Sequence, residues 1–245
     1  MRKLLKFLGI GLVLAALLFY VSDYMTNQAI KSQIKEVVEI NQSLVPDPNN
    51  MPVDYNEINR PFLEVNPDYA GWITIKNTMV DLPMVLGSDN EYYLTRNFQA
   101  GSSKAGAIFM DYRKKTDFND PQVLVYGHHM RNGTMFADLD DYKKQSYLTD
   151  RNIITVRTLT EIRKYRIFSV FIVDASVTTL DFPTAKDHLA ALYENYESRS
   201  MYKITTAPAQ ITQILTLVSC NYDINNGRII VSAVLITEQT QGNPS

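Results

Sequence analysis

Thr216-Leu217-Val218-Ser219-Cys220-Asn221-Tyr222, followed by Asn226-Gly227-Arg228-Ile229-Ile230-Val231, reads as a strand, a turn and a second strand. The first run ends in the only cysteine of the chain, and the second carries an arginine at its mouth. Between them, Asp223 to Gly227 (DINNG) is turn chemistry, because Asn-Gly readily adopts the positive φ values of tight hairpins. A hairpin here brings Cys220 and Arg228 to the same end of two neighbouring strands. A thiol beside a fixed cation forms its thiolate more easily. A strand cysteine is more often a small buried hydrophobe, so this segment alone does not establish catalysis.

Working outward, the rest of the chain has the same β character. Fifteen tyrosines and many Val, Ile and Thr favour strands, and 45% hydrophobic residues suffice for a sizeable core. Candidate strands are Trp72–Ile75, Val80–Val85, Ala107–Asp111, Gln122–His128, Ile153–Thr158, Lys164–Asp174, Ile214–Cys220 and Arg228–Ile236. Eight short strands without regular intervening helices predict a mostly β fold, a closed barrel that leaves no exposed edge. Between the sixth and seventh, Thr184 to Met201 predicts a helix capped by Thr184 that buries Leu189, Leu192 and Tyr196. His188 in that helix is expected to be a solvated or packing residue. A net charge of −2 with scattered basic residues gives no footprint for nucleic acid.

The N-terminus is organised differently. Arg2, Lys3 and Lys6 accompany an apolar run through Val21, about 18 positions, just long enough to span a bilayer as a helix. The basic flank predicts a cytoplasmic N-terminus with everything after Tyr24 outside. No small-x-small cleavage site follows the run, which favours an uncleaved anchor over a signal peptide. From Met25 to about Asn41, Ile30, Ile34, Val37, Val38 and Ile40 have a roughly helical spacing. Leu44 to Pro52 is a turn-rich linker, and Asn56 to Val65 a short helical turn. Outside the cell, a lone cysteine cannot form an internal disulfide, so Cys220 is either an intermolecular linker or a reactive group.

Gln122 to Met130 is a β-branched strand ending in Tyr126-Gly127-His128-His129-Met130. Adjacent strand residues face opposite sides, so at most one histidine should face Cys220. A zinc site would need a third ligand, and none stands at a convincing spacing. Cysteine as nucleophile, histidine as general acid or base, and arginine as a stabiliser of developing oxygen charge form a coherent set.

Tyr-Gly-His-His-Met at a strand end, Thr-Leu-x-Ser-Cys, and Gly-Arg eight residues after the cysteine resemble sortases, and more narrowly the class B sortases of Gram-positive bacteria. The similarity continues through Ser88–Leu94, Ile108–Arg113 and Gly133–Leu139, covering most of the chain from about Asn56 to Ile236. The resemblance implies an eight-stranded sortase-like barrel at 56–238, after an anchor at 1–24 and a helical lead-in and linker at 25–55, with a polar tail at 239–245. It implies a membrane-anchored cysteine transpeptidase in which Cys220 forms a thioester with a C-terminal sorting signal of a secreted protein. His128 matches the catalytic imidazole and Arg228 the arginine that steadies substrate or oxyanion. Asn90 and Leu94 match groove-lining positions, Ser219 keeps a hydroxyl beside the nucleophile, and the segment from about Ser176 to Tyr202 forms another groove wall. The implied acceptor is an amine from a lipid-linked peptidoglycan precursor or a pilin lysine, and no cofactor is expected. Val218 departs from the hydroxyl usual at its position. The same dyad in a hydrolase, or a non-enzymatic tethered β domain, are the competing readings.

Overall fold

The computed structural model describes residues 2–44, 54–114, 116–177, 188–204 and 210–236. Its eight strands are β1 (Tyr69–Ile75), β2 (Asp81–Val85), β3 (Ile108–Met110), β4 (Gln122–Tyr126), β5 (Ile153–Arg157), β6 (Ile162–Asp174), β7 (Ile214–Cys220) and β8 (Gly227–Ile236). They close in the order β1-β2-β3-β4-β7-β8-β6-β5, with β1 returning to β5. The β2–β3 and β4–β7 pairs are parallel and the others antiparallel.

The hairpin predicted at Cys220 forms as expected. β7 and β8 pair from Ile214 opposite Val234 to Cys220 opposite Arg228, and Asn226 takes a φ of 52° in the turn. Every residue of β7 before Cys220 is buried because both of its faces are covered. Leu215 and Leu217 point into the barrel with Val123, Val125, Ile229 and Val231. Ile214 and Val218 face outward under α3 (Leu189–Arg199), whose Leu189, Leu192, Tyr193 and Tyr196 cover that side. The predicted helix is therefore present with the expected buried residues. Its proposed cap, Thr184, lies outside the described residues, as do most of the linker after Leu44, part of the proposed groove wall and the C-terminal tail. His188 is exposed just before α3.

The N-terminal segment is helical, as its spacing predicts. The apolar run and the lead-in lie in one helix, α1 (Arg2–Leu44), which contains a stretch long and apolar enough to cross a membrane. Its apolar first part is exposed, whereas Ile30, Val37 and Asn41 are buried one or two turns apart on the barrel. Ile40 falls off that stripe and stays 40% exposed. The predicted short turn is a three-turn helix, α2 (Tyr55–Val65), capped by Asp54, which accepts from the backbone N–H of Asn56 and Glu57. Its Phe62 packs on Tyr69, Trp72 and Phe98, covering the outer face of β1.

Candidate active site

β4 ends at Tyr126, two residues earlier than the alternation pattern suggests, so both histidines lie beyond the strand. Gly127 makes this exit possible. A Cβ there would sit 2.5 Å from Ile108 Cδ1 and 2.7 Å from the Phe136 ring. Its N–H donates to Val218 O at 3.1 Å, and Ser219 Oγ donates to its carbonyl at 2.9 Å. These bonds fix the chain just before His128 to the chain just before Cys220.

His128 Nε2 donates to Leu94 O at 2.8 Å. A carbonyl only accepts, so Nε2 carries a proton and Nδ1 is left as the exchangeable nitrogen. Gly106, at φ 61°, closes the other side: a Cβ there would meet Tyr93 O at 2.6 Å and His128 Cδ2 at 3.1 Å. The imidazole lies beside the Cys220 thiol, and their interaction raises His128 above its ordinary value, against burial. The same interaction, followed by the nearby Arg228 charge, pulls the thiol down against burial. The two values move toward each other, which favours a thiolate beside an imidazolium.

Arg228 faces Cys220 across the β7–β8 ladder. Its Nη1 donates to Gly227 O at 2.9 Å and Asn226 O at 3.3 Å, anchoring one side of the guanidinium. Among the described residues it forms no ion pair, so its charge acts on the thiol without a carboxylate to neutralise it. The turn before it is held rigidly. Asn221 Nδ2 donates to Asp140 Oδ1 at 2.8 Å, and Lys143 bridges Asp140 and Asp223 at 2.8 and 2.9 Å.

The structure thus brings Cys220, His128, Arg228 and the Leu94 carbonyl together. His129 corrects the one-sided expectation. It also touches the nucleophile's residue, donating from Nδ1 to Cys220 O at 3.2 Å while its ring packs on Tyr222. Alternation did not apply because the strand had already ended. Ser219 is 2% exposed and points inward, and its hydroxyl ties two strands together. Asn90 is half-buried, donating to Asp111 Oδ2 at 3.0 Å and accepting from Tyr112 N–H. Asp111 itself, fully buried with Arg113, Asn90 and Tyr126 around it, was not singled out from the sequence. Nothing but its place at a strand end could have marked it.

The family model described as the sortase domain matches residues 73–236. The chain belongs to the sortase family. The sortase B of Listeria monocytogenes is 30% identical over 187 residues, spanning 73% of this chain and 74% of that one. The sortase B of Staphylococcus aureus is 27% identical over 248 residues, spanning 96% and 98%. A crystal structure of Clostridium perfringens sortase B is 33% identical, covers 73% of this chain and 100% of its own, and superposes with a TM-score of 0.66. This sortase is therefore of class B, with the eight-stranded barrel of that class, and is a sortase-type cysteine transpeptidase.

Proposed function

We propose that Cys220, His128 and Arg228 carry out the transpeptidation, and that the first part of α1 anchors the enzyme with its N-terminus in the cytoplasm and the barrel outside. The observation that carries the first part is the thiol's position, beside an imidazole and opposite an unneutralised guanidinium. The exposed apolar first part of α1 supports the second.

In the proposed sequence, the Cys220 thiolate attacks the carbonyl carbon of a Thr-Gly-like bond in the sorting signal of a secreted protein. The carbonyl π electrons move to oxygen, and the Arg228 donors left free of the backbone stabilise that charge. As the intermediate collapses, the C–N bond breaks and the His128 imidazolium gives its Nδ1 proton to the departing amine. A thioester and a neutral imidazole remain. The acceptor, an amine of a lipid-linked peptidoglycan precursor or a pilin lysine, then attacks the thioester. It loses a proton to His128, and the Cys220 thiolate leaves. Leu94 lies at the groove beside His128, and Asn90 shapes the same loop through Asp111.

The test is mass spectrometry of the full chain in detergent with sorting-signal peptides and a candidate amine. A peptide adduct on Cys220 that becomes an amide product supports the assignment. Cys220→Ala should abolish the adduct, and an unchanged adduct in that variant would sink it.

A further inference from the structure

We propose that α1 turns the catalytic end of the barrel toward the bilayer, placing the segment from His129 to Met135 against the lipid headgroups with Arg131 at the level of their phosphates. This rests on the reading that the first part of α1 spans the membrane.

The helix runs unbroken from Arg2 to Leu44, so the direction of its apolar part fixes the direction of the part docked on the barrel. The order of the docking contacts gives the polarity. Nearest the apolar run, Asn132 Nδ2 donates to Asn27 Oδ1 at 3.1 Å. Further along, Asn97 Nδ2 donates to Gln33 Oε1 at 3.2 Å. Further still, Val37 joins Phe62, Trp72 and Phe98 on the side of β1 and α2. The first element met on leaving the apolar run is therefore the one that carries the histidines. Met135 pairs with His129, and Phe136 N–H donates to His128 O at 2.9 Å.

The distance is short. From Val21, the end of the continuous apolar run, to Asn27 is six residues, about 9 Å of helix at roughly 1.5 Å each. Each headgroup layer adds about 5–8 Å to the hydrocarbon core. Asn132 thus lies near the outer edge of that layer, and the exposed Arg131 beside it can reach lipid phosphates. The opposite end of the barrel, where β5 turns into β6, is about 20 Å further out, the length of β7. The structure therefore places the thiol where lipid-attached substrates sit, on a strut too stiff to reach far above them.

Depth quenching tests this. The full chain carrying either R131W or T160W is reconstituted into phosphatidylcholine–phosphatidylglycerol vesicles containing a headgroup-nitroxide lipid, with the unmodified chain supplying the background of buried Trp72. Quenching is expected to be several-fold stronger in R131W than in T160W, which lies in the distal turn. Equal quenching, or stronger quenching in T160W, from protein that floats with the vesicles overturns the orientation while leaving the anchor intact. Failure to float overturns the membrane-spanning reading itself, and this inference with it. A Gly-Ser insertion after Tyr24 then tests the strut. Quenching in R131W should fall to the T160W level, with the rate of Cys220 alkylation unchanged. Quenching that survives the insertion would show that α1 does not set the orientation.

Discussion

Replacing Asp111 with asparagine removes a charge and almost no volume, which isolates the electrostatic part of its role. Its oxygens accept from Arg113 Nε at 2.7 Å and Nη2 at 2.8 Å, and from Asn90 Nδ2 and Tyr126 OH at 3.0 Å each. Burial pushes the carboxyl up, but hydrogen bonds from Arg113, Asn90 and Tyr126 outweigh it and hold it at about 2, against an ordinary 3.8. That difference corresponds to about 2 kcal/mol of folding stability at neutral pH. The folded carboxyl binds its proton more weakly than the unfolded one. The stabilisation is therefore complete well above pH 4 and is lost as pH falls from about 4 towards 2. The amide of Asp111→Asn keeps an acceptor but must also turn an NH₂ group toward the donors of Arg113 or Asn90. Its stability at pH 7 should thus fall by about 2–4 kcal/mol. Urea unfolding followed by the fluorescence of buried Trp72 measures both proteins across this range. The gap between them should narrow by about 2 kcal/mol on going from pH 7 to pH 2. A gap of constant size would refute the assignment of this stability to the ionised carboxylate.

The thiol's environment predicts an ordered set of alkylation profiles. His128→Asn should move the half-alkylation pH of Cys220 upward most, Arg228→Gln upward by less, and Arg228→Lys hardly at all, because charge but not fork shape is kept. Peptide turnover in Arg228→Lys should nevertheless fall severely, and normal turnover there would remove the guanidinium geometry from the mechanism. Gly127→Ala forces contacts of 2.5–2.8 Å onto Ile108 and Phe136, so it should cost about 1–3 kcal/mol in thermal or urea unfolding and lower turnover by displacing His128. Ser219→Ala should cost about 1 kcal/mol through the lost bond to Gly127 O while leaving the preference among sorting-signal peptides unchanged. A changed preference would show that the hydroxyl does reach substrate.

All eight strands were visible in the sequence because each is an apolar run, most of them rich in β-branched or aromatic residues. The nucleophile and its arginine were visible because the DINNG turn fixes their register. What the sequence concealed depends on where elements stop and what lies beneath them. β4 ends at Tyr126 because Gly127 must pack against Ile108 and Phe136, which are distant from it in space only until the barrel closes. The apolar run and the lead-in differ in polarity, yet no proline or glycine separates Tyr20 from Leu44 and the backbone has no reason to break. The Ser219 hydroxyl stands beside the nucleophile in sequence. In a strand, however, the neighbouring residue faces the other way, and it does here. The clamp of Asp140, Lys143, Asp223 and Asn221 joins groups about 80 positions apart, and no local pattern could reveal it.

The parallel pairing of β4 with β7 sets Leu124 against Thr216 and Tyr126 against Val218, partners more than 90 positions apart. Contacts of such separation form slowly and only after a large loop has been ordered. Until they form, Cys220 lacks His128 and has at most the Arg228 of its own hairpin beside it, so it stays closer to an ordinary thiol, mostly protonated at neutral pH. The chain therefore arms its nucleophile by folding. While it is unfolded, the single cysteine is at its least reactive towards disulfides, oxidants and stray carbonyls, and the onset of rapid alkylation marks the moment at which the barrel has closed.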